Sequence, residues 1–309
     1  MIISFFTDAH IKAQNSENRI GDYHSDIIAK FKETLSIAKE NNSPFILDGG
    51  DIIDSPIIST ILCDEIIDLV EANGIPIYSL TGNHPLFGHS WELSKATTLA
   101  HIFRRTKFIK KLDILENEEC IAKSFDYFHG IEDWIKENGL ILGKKTKKWK
   151  IAIVHAFLTP KPFLSSVLHI PINQVETDAD LVLCGHTHHP FNKIIDDVKF
   201  LNPGCVGRCD IDEADIEPSI VLLDTEKRST KVIKLKSAKP KEEIFDLTKI
   251  AQIKNFENDI EKFIASLNTT NFTSLDLLGQ IKEIGKKQKA DKEIIEEVEN
   301  RIKNYTNGN

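Results

Sequence analysis

Long hydrophobic runs are missing from this 309-residue chain. No apolar stretch approaches the ~18 residues needed to cross a bilayer, so no membrane-spanning helix is expected. The opening residues, MIISFFTDAH, have neither a basic n-region nor a small-residue cleavage site and turn polar by Thr7. They read as a first buried strand and not as a secretory signal. Cysteine is sparse and unpatterned. Cys63, Cys120, Cys184, Cys205 and Cys209 form no C-x-x-C pair and no even framework, which fits small buried hydrophobes in a reducing, cytoplasmic setting. An excess of positive charge is also lacking. With 39 Lys and Arg against 47 Asp and Glu, the formal net charge is −8. That excludes a chain coated in basic residues for nucleic acid but leaves local basic patches open. Internal repeats and long low-complexity segments are absent too.

What is present is ordinary globular material. Hydrophobic residues make up 41% and charged residues 28%, enough for a sizeable core in one large domain or a large one with a small one. The runs IISFF, PFILDGG, PIYSL, IAIVH, DLVLCG and SIVLLD are short, rich in β-branched residues and often closed by Gly or Asp, and they read as strands. Between the first of them lie amphipathic segments such as Asp26 to Asn41, with Ile27, Phe31, Leu35 and Ala38 on one stripe. The alternation predicts an α/β fold with helices packed on sheets. Later, KFLNPG, SIVLLD and TKVIKLK follow with little helix between them, which predicts a more antiparallel set. Near Ser237-Ala238-Lys239-Pro240 the pattern becomes helical only. Phe256, Ile260 and Phe263 share one face, Leu277, Leu278 and Ile281 another, and Ile294, Val298 and Ile302 a third, with Ser274 suited to cap the second helix and Gly285 to end it. The expected division is 1–235 and 236–309.

Chemistry collects where the apolar runs stop. In an open α/β sheet ligands sit beyond the carboxyl ends of the strands. Those ends read Asp8-Ala9-His10, Gly49-Gly50-Asp51-Ile52-Ile53-Asp54, Gly82-Asn83-His84-Pro85, His155 and Gly185-His186-Thr187-His188. Each alone is an ordinary polar turn. Five in order point to one site. Carboxylate, amide and imidazole donors together suit divalent ions such as Mn²⁺, Fe²⁺ or Zn²⁺, whereas Mg²⁺ alone would favour oxygen. Asp-x-His and His-x-His spacing aims alternate side chains the same way, so His186 and His188 can face the metals together, while His189 has the opposite parity and reads as a turn or rim residue.

These motifs, DAH, GGDIID, GNH, an isolated VHA and GHTH, resemble the five ordered motifs of the calcineurin-like metallophosphoesterases, over roughly residues 1–235. The resemblance implies a four-layer αββα sandwich with a helical C-terminal extension. It implies two divalent metal ions, with Mn²⁺ the first choice. One ion takes Asp8, His10, Asp51 and His188; the other takes Asp51, Asn83, His155 and His186, Asp51 bridging. His84 is implied as the catalytic histidine, within two-metal activation of water for in-line attack. One departure stands out. Many relatives follow GNH with an acidic residue that orients the histidine; here Pro85 follows. Asp54 is a candidate substitute, or else a supporting or helix-capping carboxylate.

The ester class is narrower. The protein-phosphatase branch commonly carries Arg after GDxxD, where this chain has Ser55-Pro56. TGNHPLFGHS (81–90), FDYFHGI (125–131), VHAFLTPKPF (154–163) and LNPGCVGRCDIDEADIEPSIVLLD (201–224) look like SbcD-like (Mre-type) DNA repair nucleases. Asn202, Pro203 and Gly204 then read as structural. That branch implies DNA as substrate and an SbcC-like coiled-coil ATPase gripped by the C-terminal helices. A phosphate track would come from Lys144, Lys145, Lys147 and Lys148 around Trp149, and from Arg104 and Arg105; the other reading is a solvated loop with Trp149 anchored in the core. The helices at Asp26 to Lys39 and Cys63 to Ala72 are both suited to a homodimer face and to plain sheet covering. Two other functions stay open: a phosphodiesterase on small or cyclic nucleotides, and a metal-free scaffold.

Overall fold

The computed structural model describes residues 1–16, 19–162 and 167–248, together with Lys292, Ile295 and Glu296. In chain order the first half holds β1 (Ile2–Phe6), α1 (Tyr23–Glu40), β2 (Ile46–Asp48), α2 (Thr60–Asn73), β3 (Ile77–Ser79), α3 (Thr98–Arg105), β4 (Ile109–Lys111), β5 (Ile114–Glu116), β6 (Cys120–Phe125) and α4 (Ile131–Asn138). The second half holds β7 (Trp149–His155), β8 (Leu158–Thr159), β9 (Ile170–Pro171), β10 (Leu181–Gly185), β11 (Phe191–Ile195), β12 (Val198–Asn202), β13 (Ser219–Asp224), β14 (Ser229–Lys234) and the short α5 (Lys241–Ile244). Every run read as a strand in the sequence forms one. α1 starts at Tyr23, three residues before the apolar stripe suggests, because Asp22 caps it by accepting the Ser25 N–H. α2 is capped by Ser59 and closed by Gly74 in the left-handed region.

Two six-stranded sheets result. One has the order β14-β13-β1-β2-β3-β4 and the other β11-β12-β10-β7-β6-β5. β1 to β4 are mutually parallel, and β13 joins β1 antiparallel, with β14 hairpinned onto it. In the second sheet β6, β7, β10 and β12 are parallel and the edges β5 and β11 antiparallel. Alternation along the strands sorts the core into layers. Phe5, Ile151, Ile153, Leu183 and Val221 meet between the sheets. Their neighbours face outward: Phe6 packs with Ile27, Phe31 and Ile66 under α1 and α2, and Val154 with Ile131 and Ile135 under α4. A slip of one residue in β1 or β7 would exchange these two layers, so burial on both faces pins the register. This is the expected αββα sandwich.

The first compact unit is Met1–Phe245 and the second Asp246–Asn309, ten residues beyond the division expected from composition. Residues 236–245 stop alternating but stay bonded to the body. Lys236 and Ser237 donate their N–H groups to the Glu33 carboxylate at 2.9 and 2.7 Å, and Ile244 and Phe245 are buried. The three helical patterns between residues 256 and 305, with Ser274 and Gly285, lie outside the described residues, apart from Lys292, Ile295 and Glu296, all three of which are helical. All five cysteines are buried and unpaired. Among the described residues no helix is long and apolar enough to cross a membrane.

Candidate metal centre

Parallel strands carry their carboxyl ends to a common edge, and the expected side chains meet there. Asp8, His10 and His188 offer ligand atoms within 4.8 Å of one another, as do Asp51, His155 and His186, and also His10, Asp51 and His84. Asn83 joins the second group: its Oδ1 lies 3.0 Å from His155 Nε2 and 2.8 Å from His186 Nδ1. His10 Nε2 and His188 Nε2 face each other at 3.0 Å. Asp51 belongs to both neighbourhoods. Its Oδ1 accepts the His84 N–H at 3.0 Å, while its Oδ2 is buried without a hydrogen-bond partner, 3.1 Å from His155 Nε2.

The backbone is bent to make this happen. Asp8 (φ 52°), His10 (φ 48°), Asp51 (φ 52°) and His186 (φ 75°) all sit in the left-handed region, which costs a non-glycine residue on the order of 1–3 kcal/mol each. The sandwich holds them there. Asp8 N–H donates to Gly50 O at 3.0 Å and His10 N–H to Asp51 O at 2.8 Å. A Cβ on Gly82 would overlap the Asp51 carboxylate, so only glycine lets the Asn83 loop pass.

A surrounding shell aims the rings. His155 Nδ1 is 2.9 Å from Gly49 O, so that nitrogen carries the proton and Nε2 is left as donor to an ion. His10 Nδ1 is 2.8 Å from Asp54 Oδ1, and His188 Nδ1 is bonded to Glu213 Oε1. Asp54 also takes Lys12 Nζ at 2.9 Å and lies against His84 Nδ1, through its carbonyl at 3.2 Å and its carboxylate at 3.3 Å. It therefore does both things that the sequence left open, orienting His84 and supporting a ligand. Beneath, Tyr23 donates its hydroxyl to His10 O at 2.9 Å. Buried Lys30 donates to the carbonyls of Val206 and Gly207, whose N–H groups hold Thr7 O and Asp8 O.

The electrostatics are tightly balanced. Burial alone would drive the Asp51 carboxyl up, but His155, His10 and His84 hold it well below the usual range. Burial works against charge on His155 and His188, yet Asp51 raises the first to about 9 and Glu213 the second to about 9. Burial and the neighbouring His155 push His186 down to about 3. Oxygen and nitrogen donors converge here, and a buried carboxylate oxygen lacks a hydrogen-bond partner. This set fits borderline divalent ions.

A model of the calcineurin-like phosphoesterase family matches residues 1–190. The chain belongs to that family. This metallophosphoesterase is 26% identical over 130 residues to a probable metallophosphoesterase of Methanothermobacter thermautotrophicus, covering 41% of this chain and 67% of the relative. Among solved structures, one described as a novel archaeal phosphodiesterase shares 17% identity, with 76% of this chain and 100% of that one covered and a TM-score of 0.41. A protein of Thermus thermophilus shares 10%, with 76% and 99% covered and a TM-score of 0.46. The family is one of metal-dependent hydrolases with a binuclear divalent metal site, and the clusters above are the candidate ligands for it.

Of the expected DNA track, the stacking platform at Trp149 needs correcting. Trp149 is 3% exposed and packs between the sheets, so it offers no face for a base. It begins β7, whose far end is His155; seven residues of strand separate them by roughly 20 Å. Lys144 and Lys148 pair with Glu116 at 2.5 and 2.9 Å, and Lys145 and Lys147 are exposed beside them. Arg104 and Arg105 end α3, and Arg104 lines a pocket with Ile57, Ile58 and Cys63. Trp149 and the lysines around it do not adjoin the histidines, because in a parallel sheet the two ends of one strand face opposite ways. His189 is exposed, as its parity implies. Asn202 and Gly204 support the histidine loop: Asn202 Nδ2 donates to Thr187 O and its Oδ1 accepts the Gly204 N–H.

Sequence reasoning assigned no role to Glu213, Tyr127 or Asp126. Tyr127 lies against His186 and His155, with ring centroids 5.8 and 6.3 Å away. Asp126 accepts the Thr81 N–H at 2.6 Å, bracing the loop that carries Asn83. Both follow β6, an apolar run ending in polar residues like the others, and that was the available signal. Glu213 had none, since an acid in an acidic loop looks like any other.

Proposed function

We propose that this metallophosphoesterase is a phosphodiesterase that cleaves DNA, as a nuclease of recombination or repair working with an SbcC-like ATPase. The observation that carries the reading is where two nuclease-like segments meet. Thr81, at the head of TGNHPLFGHS, accepts the Tyr127 N–H at 2.9 Å, within FDYFHGI, and His89 lies 5.9 Å from the Tyr127 ring. Together they make one wall of the metal centre. A diester also suits the charge. The buried arginines are committed to other partners, Arg19 to Asp26 and Arg208 O, and Arg208 to Ile216 O and Lys239 O. Neither of these two buried guanidiniums is free to replace the Arg that follows GDxxD in phosphomonoester enzymes.

Asp8, His10, His188 and Asp51 would hold one ion, and Asp51, Asn83, His155 and His186 the other. The ions supply Lewis acidity toward water and toward the phosphate oxygens. His84 holds a proton for the leaving oxygen. Its Nδ1 is occupied by Asp54, which leaves Nε2 for the substrate. Burial disfavours the imidazolium, but Asp54 and Asp51 outweigh burial and raise its pKa, which keeps the acid form available. Asp54, anchored by Lys12, fixes the ring where Pro85 cannot.

The placement of Lys144, Lys145, Lys147 and Lys148 at the far edge favours one second reading, a phosphodiesterase on small nucleotides, which needs neither a long track nor the C-terminal segment. The test offers Mn²⁺-loaded protein linear double-stranded DNA, single-stranded DNA and bis-p-nitrophenyl phosphate, with His84→Ala as control. Cleavage of DNA, reduced about 10²–10⁴-fold in the variant, supports the nuclease. Cleavage of the small diester alone, unchanged by adding the ATPase, supports the second reading. A His84→Ala protein with full turnover and normal metal content removes the role given to His84. Loss of ATPase association on deleting residues 272–309, with hydrolysis intact, is the outcome expected for the partner.

A further inference from the structure

Beside the metal centre lies a cavity of about 440 Å³ lined by Trp91, Phe125, Asp126, Phe128, Ile131 and Trp134. Its size is in the range of small-molecule sites. Four aromatic side chains shape it, with Phe125 and Phe128 centroids 6.4 and 6.1 Å from Trp134. Trp91 is 39% and Trp134 38% exposed, a costly way to leave two indoles unless something covers them. Polar groups stand at one end. Lys111 Nζ lies 4.6 Å over the Trp91 ring and 3.4 Å from Asp126 Oδ2. Asp126 is the link to the chemistry: it braces Thr81 and precedes Tyr127, which borders His155 and His186.

We propose that this pocket takes a nucleobase of the phosphoester substrate, stacked on Trp91 and Trp134, while its phosphate lies toward the metal centre. The inference rests on the phosphodiesterase reading and names the part of the substrate recognised. A flat aromatic group suits the indole faces, since every base offers a π-face. The Lys111 ammonium at the rim suits the negative charge that a nucleotide carries and a plain hydrocarbon does not. An acyl chain or a sugar phosphate satisfies only one of these two features.

The test is intrinsic fluorescence of the Mn²⁺-loaded protein. Trp149 is shut in the core, so a ligand-dependent change reports Trp91 and Trp134. Thymidine 5′-monophosphate is expected to quench saturably and ribose 5-phosphate is not. Trp91→Ala and Trp134→Ala should each weaken nucleotide affinity by about tenfold or more, and Trp91→Phe should restore most of it. Equal response to ribose 5-phosphate, no saturable response to the nucleotide, or unchanged affinity in both alanine variants overturns the pocket. Wild-type hydrolysis of bis-p-nitrophenyl phosphate, measured in parallel, tests the phosphodiesterase reading separately. Loss of quenching with hydrolysis retained rejects the pocket alone. Absent hydrolysis with nucleotide-specific quenching rejects the enzyme reading and leaves the pocket standing.

Discussion

The two edges of the sandwich both carry charge and use it in opposite ways. At the amino-terminal edge, Lys144 and Lys148 share Glu116, and the Met1 ammonium meets Glu119 at 2.8 Å. Solvent reaches all of these groups, and each charge has a partner of opposite sign. At the carboxyl-terminal edge, Asp8, Asp51 and His155 are almost wholly buried, the backbone is forced into left-handed φ, and nitrogen faces nitrogen between His10 and His188. Charge in water is inexpensive and says little. Buried charge with an incomplete set of partners is what marks a place built to receive something.

Breaking that contrast begins with its centre. Asp51→Asn keeps the shape and removes the shared charge; hydrolysis and metal content should fall by more than about 100-fold, beyond the ~10–100-fold typical of residues behind the ligands. Metal stoichiometry and diester turnover read this out. Glu213→Gln should weaken metal affinity by about 10–100-fold with the fold unchanged, measured by titration calorimetry, because His188 loses the carboxylate that aims it. Affinity equal to wild type would show that the ring is held by packing alone.

A third test uses pH. Asp48 ends β2 beneath the site, and burial drives its carboxyl up to about 7, against bonds from Ser79 and the Gly50 N–H. Between about pH 4 and 7 the folded chain keeps this proton while the unfolded chain has lost it. Its contribution to stability is therefore present at acid pH and lost as pH rises through 7. Asp48→Asn mimics the protonated form. It should exceed wild type above pH 7 by on the order of 3 kcal/mol, with the gain vanishing near pH 4 in denaturant titrations. The smallest effect belongs to the other edge. Lys144→Gln with Lys148→Gln should leave the melting temperature and small-diester turnover unchanged, since exposed pairs contribute little. A loss of turnover there would erase the distinction between the edges.

How much was legible follows the same physics. The ligands could be read because each follows an apolar run, and strand ends are marked locally by Gly, Asp and His. The strands could be read because IISFF and IAIVH are short apolar runs rich in β-branched residues; which of Phe5 and Phe6, or Ile153 and Val154, faces the other sheet was fixed only by packing. The cap at Asp22 and the edge strands β5 and β11 were less visible, since short or half-exposed segments carry weak patterns. Trp149 was ambiguous because a tryptophan among lysines suits a stacking platform and an anchored core residue equally, and only its register against Cys120 on β6 decides.

The sequence alone determined the donor types, their order along the chain and the alternation of strands and helices, because periodicity and strand-end chemistry are local properties; the sandwich was implied by the family resemblance of the five motifs. Tertiary structure decided the rest. It chose Glu213 to hold His188 from 25 residues away, set Asp54 between His10 and His84, and sent Lys144 and Lys148 to the edge away from the metal centre. Each of these depends on which strand ends share an edge, a property of parallel packing that no short stretch of chain contains.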